Sequence, residues 1–266
     1  MKYLPLWIFA LGLTGGVFMF ATTSERSDQR RLIIVLAGQS NMVGWADARA
    51  IPLQYRKQPA NVVFYLQGEP APLVGRRTFG PEVSFAHALA KRFPKHQIEL
   101  HKFAVNGTSL LAWMPEWSAE QAAIVQNAEV GPLYSQLLSS LNFDPSHPEN
   151  RVDAFIWMQG EQDATHPDTA ANYGKNLSRI VTSLRYDLRS PKAAFILGSI
   201  CSFTERFPHI KTVRFHQAEI PYRVPISYLV PTDDLSKKAD QIHFDAHGEI
   251  ELGHRFARAL VKHLKH

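Results

Sequence analysis

From residue 32 onward, short apolar runs alternate with stretches whose apolar residues recur at helical spacing. Six runs rich in β-branched and aromatic residues, at 32–37, 62–66, 98–105, 154–158, 193–197 and 226–230, predict strands. Two of them, LIIVLA and AFIWM, are apolar almost throughout, as strands buried on both faces are. Residues 82–92 and 170–189 predict amphipathic helices, the second through Leu177, Val181, Leu184 and Leu188. A final helix over 247–264 carries Ile250, Phe256, Ala257, Leu260 and Leu264 on one side. Strands alternating with helices imply parallel βαβ units in an open α/β sheet covered on both faces. No shift of composition marks a second domain.

The first 25 residues break this pattern. Lys2 is followed by the apolar run 4–21 and then by the polar stretch TTSERSDQRR. A basic start, an apolar centre and small residues near Ala21 predict a secretory signal peptide. The run reaches about the 18 residues that also suffice for a membrane span, so a cleaved signal and a retained N-terminal anchor are both open. Either one places the protein outside the cytoplasm, periplasmic or extracellular, with the membrane involved only through that anchor. With 45% hydrophobic and 20% charged residues the remainder is globular rather than disordered. Cys201 is the single cysteine, so stability has to come from a buried core and not from an internal disulfide. A net charge of +5 is spread along the chain without a basic run, which argues against a nucleic-acid partner.

Ligands of open α/β sheets bind beyond the carboxyl ends of the strands, and three of those ends are chemically unusual here. The first strand leads into Gly38-Gln39-Ser40-Asn41-Met42, where a serine can sit on a tight turn with its hydroxyl exposed at the sheet edge. Ser40 or Asn41 could equally cap the next helix. The third strand leads into Asn106-Gly107-Thr108-Ser109, a turn whose glycine lets backbone amides approach a ligand. Asn106 and Asn176 also open glycosylation sequons. The fourth strand ends in Gln159-Gly160-Glu161-Gln162-Asp163, polar residues that must be hydrogen-bonded or face a solvated pocket. Near the C-terminus, Asp240 lies three residues before His243, a spacing at which a carboxylate can accept a hydrogen bond from the imidazole Nδ1–H and leave Nε2 as a general base. His243, Asp245 and His247 suggest a metal only weakly, since no third ligand follows at recognisable spacing.

Taken together, the segments AGQSNM, FGPEVSF, WMQGEQDA and DQIHFDAHG resemble the blocks of SGNH-type esterases. More narrowly they are similar to the sialate O-acetylesterase and acetylxylan-esterase group, carbohydrate esterase family six, over residues 31–262. The resemblance implies a three-layer α/β/α sandwich, flavodoxin-like, that removes acetyl groups from a glycan or sugar without a metal or other cofactor. By the same resemblance Ser40 is the nucleophile and His243 the base. Asp240 matches the general Asp-x-x-His acid, while Glu161 matches a position that some members use instead. Gln159 resembles an oxyanion-hole side chain, with the backbone amides of Ser40 and Gly107 completing the hole. Gly80-Pro81-Glu82 matches a further block to which no physical role attaches. The family often reads Gly-Gly-Thr-Ser where this chain has Asn106-Gly107-Thr108-Ser109. Trp45, Trp113 and Trp117 are candidates for stacking on sugar rings or for core packing. The competing functions are an SGNH esterase for other short-chain, lipid or aryl esters, and a carbohydrate-binding protein that has lost turnover.

Overall fold

The computed structural model describes residues 30–264, so the expected export segment lies outside the described residues. Its strands are β1 (Arg31–Gly38), β2 (Ala46–Asp47), β3 (Val62–Leu66), β4 (Glu69–Pro70), β5 (Thr78–Phe79), β6 (Gln97–Ala104), β7 (Ala154–Met158), β8 (Ala194–Gly198) and β9 (Ser227–Val230). Its α-helices are α1 (Ser40–Val43), α2 (Glu82–Arg92), α3 (Ala119–Ala122), α4 (Leu133–Ser140), α5 (Pro167–Asp187), α6 (Ile210–Arg223) and α7 (Ala246–Leu264). The main sheet runs β4-β3-β6-β1-β7-β8-β9, parallel except for β4, and β2 pairs with β5 in a separate two-stranded ribbon. Strands β6-β1-β7-β8-β9 reproduce the flavodoxin-like order 2-1-3-4-5, with β3 and β4 added at the β6 edge.

Alternation along β7 shows how the layers form. Trp157 meets Trp113 edge-on at 5.2 Å and shares its face with Phe195, whereas Met158 points to the opposite face, where Phe256 of α7 packs nearby. Successive side chains of a strand point to opposite faces, so a fully apolar run needs cover on both. Helices α2 and α7 pack together as one cover, α5 and α6 as the other. Helix α5 starts three residues earlier than its apolar spacing suggests, because Pro167 occupies its first turn and His166 Nδ1 accepts from Asp168 N. Helix α6 is not legible in the apolar pattern. Its buried stripe of Ile210, Val213, Gln217 and Ile220 contains a glutamine, its last turn contains Pro221, and Phe215 and Tyr222 lie exposed off the stripe.

The chain reverses direction of travel across the sheet between β1 and β7, and a crevice opens there at the carboxyl ends. Gly38 closes β1 at φ +143°, and a Cβ on it would lie 2.1 Å from Met158 O. Only glycine fits so close to β7, and the next two residues, Gln39 and Ser40, are delivered to the crevice. Among the described residues, no helix is long and apolar enough to cross a membrane.

Candidate active site

Gln39 ties the two central strand ends together. Its amide donates to Met158 O at 2.9 Å, and its side-chain oxygen accepts from Gly160 N and Gln162 N. Ser40, largely buried, then opens α1 and lines a cavity of about 230 Å³ with Trp45, Gly107, Arg206, Phe207 and His243. The base of this turn is braced by charge. Lys102 Nζ donates to Val43 O at 2.9 Å and to Glu82 Oε2 at 2.7 Å, and Arg76 donates to the other Glu82 oxygen. Burial pushes Glu82 up, but Lys102 and Arg76 outweigh it and hold the carboxyl below its ordinary range. Gly44 meets Gly80 backbone to backbone, its φ is +89°, and a Cβ there would sit 2.3 Å from Gly80 N. The Gly-Pro-Glu block therefore supports the Ser40 turn from beneath. Lys102, near the carboxyl end of β6 (QIELHKFA), carries that role without any motif to announce it.

Asn41 locks the other half of the site. Its Nδ2 donates to Ile242 O (3.1 Å) and to Glu161 Oε1 (3.2 Å), and its Oδ1 accepts from Phe244 N (3.1 Å). One buried carboxamide thus grips both neighbours of His243. Asp240 orients the residue between them. Its Oδ1 accepts from Ile242 N and His243 N at 2.9 Å each, and its Oδ2 lies 2.8 Å from His243 Nδ1. Burial opposes ionisation of Asp240, yet these hydrogen bonds, led by the His243 amide and imidazole, keep its carboxyl below the ordinary range. With Nδ1 engaged, the tautomer assigned by that bond leaves Nε2 as the free nitrogen.

Glu161 does not reach the imidazole. It is fully buried, its Oε1 serves Asn41 and Ser202 Oγ, and burial raises its pKa above the ordinary carboxylate value. Gln159 is likewise absent from the cavity lining. Its Nε2 is committed to Thr108 O (2.8 Å) and Asp163 Oδ2 (2.5 Å), so in this structure it braces the loop and does not face an oxyanion. The carboxyl of Asp163, pushed up to about 7 by burial, also accepts from Leu110 N.

The Asn106-Gly107 loop does reach the cavity. Gly107 adopts φ +64°, and Asn127 holds the loop by donating to Gly107 O (3.0 Å) and accepting from Ser109 N (2.7 Å). Among the described residues, neither the Ser40 amide nor the Gly107 amide is spent on a backbone carbonyl. Asn106 itself accepts from Trp45 Nε1 at 3.0 Å. Of the three tryptophans, only Trp45 is at the site. Trp113 is buried in the core with Nε1 donating to Thr108, and Trp117 packs against Gly131. Asp245, read with His243 and His247 as a weak metal hint, instead caps α7 by accepting from Gly248 N. Among the described residues, no group of three histidine, cysteine or acidic side chains could hold a metal.

The mainly parallel sheet covered on both faces is the α/β/α fold that the sequence resemblance implied. The chain belongs to the carbohydrate esterase, sialic acid-specific acetylesterase family, whose model matches residues 30–262, and it is a carboxylic ester hydrolase of the carbohydrate esterase class. It is 24% identical over 257 residues to a "probable carbohydrate esterase" of Arabidopsis thaliana, covering 86% of this chain and 90% of that one. The X-ray structure of that Arabidopsis protein superimposes with a TM-score of 0.70 at 23% identity, covering 88% of this chain and 98% of the other. A carbohydrate acetylesterase from Xanthomonas citri gives a TM-score of 0.68 at 19% identity, over 85% of this chain and 55% of that longer one.

The bracing beneath the Ser40 turn has a measurable cost of removal. Glu82→Gln leaves the buried Lys102 ammonium without its counter-charge, a loss on the order of 3–5 kcal/mol. Urea unfolding should show that loss, and adding Lys102→Met to Glu82→Gln should recover part of it.

Proposed function

We propose that the protein is a serine esterase that removes O-acetyl groups from carbohydrate through an acetyl-enzyme. The observation that carries this reading is that His243, with Nδ1 held by Asp240, lines the same cavity as Ser40. In the proposed cycle Nε2 of His243 takes the Ser40 proton as Oγ attacks the acetyl carbonyl. The oxyanion forms against the Ser40 and Gly107 amides. His243 then protonates the departing sugar hydroxyl, and the same imidazole activates the water that releases acetate. Asp240 is the acid of this triad, and Glu161 acts at one remove by holding Asn41.

The size of the cavity supports a short acyl group. About 230 Å³ is below the range of pockets that enclose drug-sized ligands, and it leaves little room for a lipid chain. Hydrolysis of p-nitrophenyl esters should therefore fall as the acyl chain lengthens beyond acetate. The export segment expected at residues 1–25 supports action on glycans outside the cytoplasm.

The cavity also has a sign. Arg206 is exposed at its edge, 5.5 Å above the Phe207 ring, and among the described residues no carboxylate lines the cavity. This arrangement favours acetylated sugars that carry an acidic group over neutral ones. Arg206→Gln should raise KM for O-acetylated sialic acid several-fold while leaving p-nitrophenyl acetate turnover near wild type. Equal activity of the wild type on neutral acetylated xylan would remove the acidic preference.

The triad is tested by turnover of p-nitrophenyl acetate. Ser40→Ala and His243→Ala should each lose on the order of 10⁶ in kcat. For the acid, Asp240→Asn should cost orders of magnitude more than Glu161→Gln; the reverse order would transfer the role to Glu161.

A further inference from the structure

Trp45 stands outside the proposed triad and hole, yet it touches all three segments that build them. It follows the nucleophile helix directly after Gly44. Its ring stacks on the His243 imidazole with centroids 5.1 Å apart and planes 24° from parallel. Its Nε1–H donates to Asn106 Oδ1 beside Gly107, and its carbonyl accepts from Lys238 Nζ on the loop that carries His243. The imidazole covers one face of the indole, so that face is closed to a sugar ring.

A stacked indole favours a cation over its face and restricts rotation of the ring it covers. In the proposed cycle His243 becomes a cation when it takes the proton of Ser40. We infer that Trp45 is a positioning residue that holds the His243 ring and the Asn106-Gly107 loop in register and stabilises the imidazolium formed during acyl transfer. This rests on His243 being the base. The charged and titratable groups around the imidazole are Asp240 on Nδ1, the buried Glu161 from the β7 side, Arg206 at the cavity edge, and Lys238, whose ammonium lies 5.6 Å from the same indole. Trp45→Leu leaves each of these residues unchanged and removes the stacked face, the Nε1 donor and the indole face beside the Lys238 ammonium.

Removing a partner that favours the charged imidazole lowers its pKa, so the acidic limb of activity moves to lower pH. Trp45→Leu should shift that limb of kcat/KM for p-nitrophenyl acetate down by about half a pH unit or more, and should lower kcat at least several-fold. Trp45→Phe keeps a stacked ring without the Nε1 donor and should restore most of the limb position but not all of kcat. Titration of the His243 ring by NMR in a Ser40→Ala background reads the same shift without turnover. A limb and ring titration unchanged in Trp45→Leu would overturn the inference. So would a loss confined to KM for an acetylated glycan with p-nitrophenyl acetate unaffected, which is the signature of a sugar platform. A His243→Ala enzyme that retained activity would instead remove the base assignment on which the inference stands.

Discussion

The carboxamide of Asn41 joins parts of the chain that are 201 and 203 positions apart, through Ile242 O and Phe244 N. An alcohol and an imidazole can cooperate only when held within hydrogen-bond reach, and small displacements of such groups cost large factors in rate. With Cys201 as the single cysteine, no internal disulfide can fix the C-terminal loop to the first strand. Hydrogen bonds must do so, and the buried Asn41 makes two of them to the loop and a third to Glu161. Deprived of one partner, such a group retains its full desolvation cost, which is why Glu161 and Ser202 crowd around the same contacts.

The ground beneath the site holds several buried titratable groups. Glu82, Lys102 and Asp163 are at most 2% exposed. Glu249 is buried beside Glu82, and burial followed by that neighbouring charge pushes it well above the ordinary carboxylate value. Apolar residues of similar volume would often stabilise a fold as well as or better than a buried ion pair. What the ionic arrangement supplies here is direction: Lys102 Nζ has a fixed place between Val43 O and Glu82, and the end of α1 is fixed with it.

Much of this was legible in the sequence, for identifiable reasons. Apolar strands such as LIIVLA and AFIWM have few alternatives to a doubly covered sheet, and the two helices that pack together on one face, α2 and α7, show clean apolar periodicity. The serine turn and the Asp-x-x-His loop were visible because short-range spacing fixes their local geometry. Lys102, Asn127 and the double grip of Asn41 were hidden because each acts over a long separation, and nothing in a polar residue's identity tells which distant carbonyl it will find. Gln159 shows the same limit on reading a polar residue's partners from sequence. Its motif marks it as a candidate for the hole, whereas its two amide hydrogens meet Thr108 O and Asp163 once the strands are in register.

The two acidic candidates near His243 differ in environment more than in chemistry. Asp240 lies on an exposed loop, accepts three hydrogen bonds, and is held ionised. Glu161 is sealed in the interior with a raised pKa and serves a neutral carboxamide and a hydroxyl. A carboxylate that must stabilise a transient imidazolium needs to be charged before the proton moves, and direct contact with Nδ1 lets it act without reorganisation. Glu161 makes no hydrogen bond to Nδ1, which Asp240 takes, and its position suits holding Asn41, which grips the backbone on either side of His243. The same division separates the two sides of His243: buried Asn41 fixes the backbone on either side of it, while Asp240 engages its ring from an exposed loop.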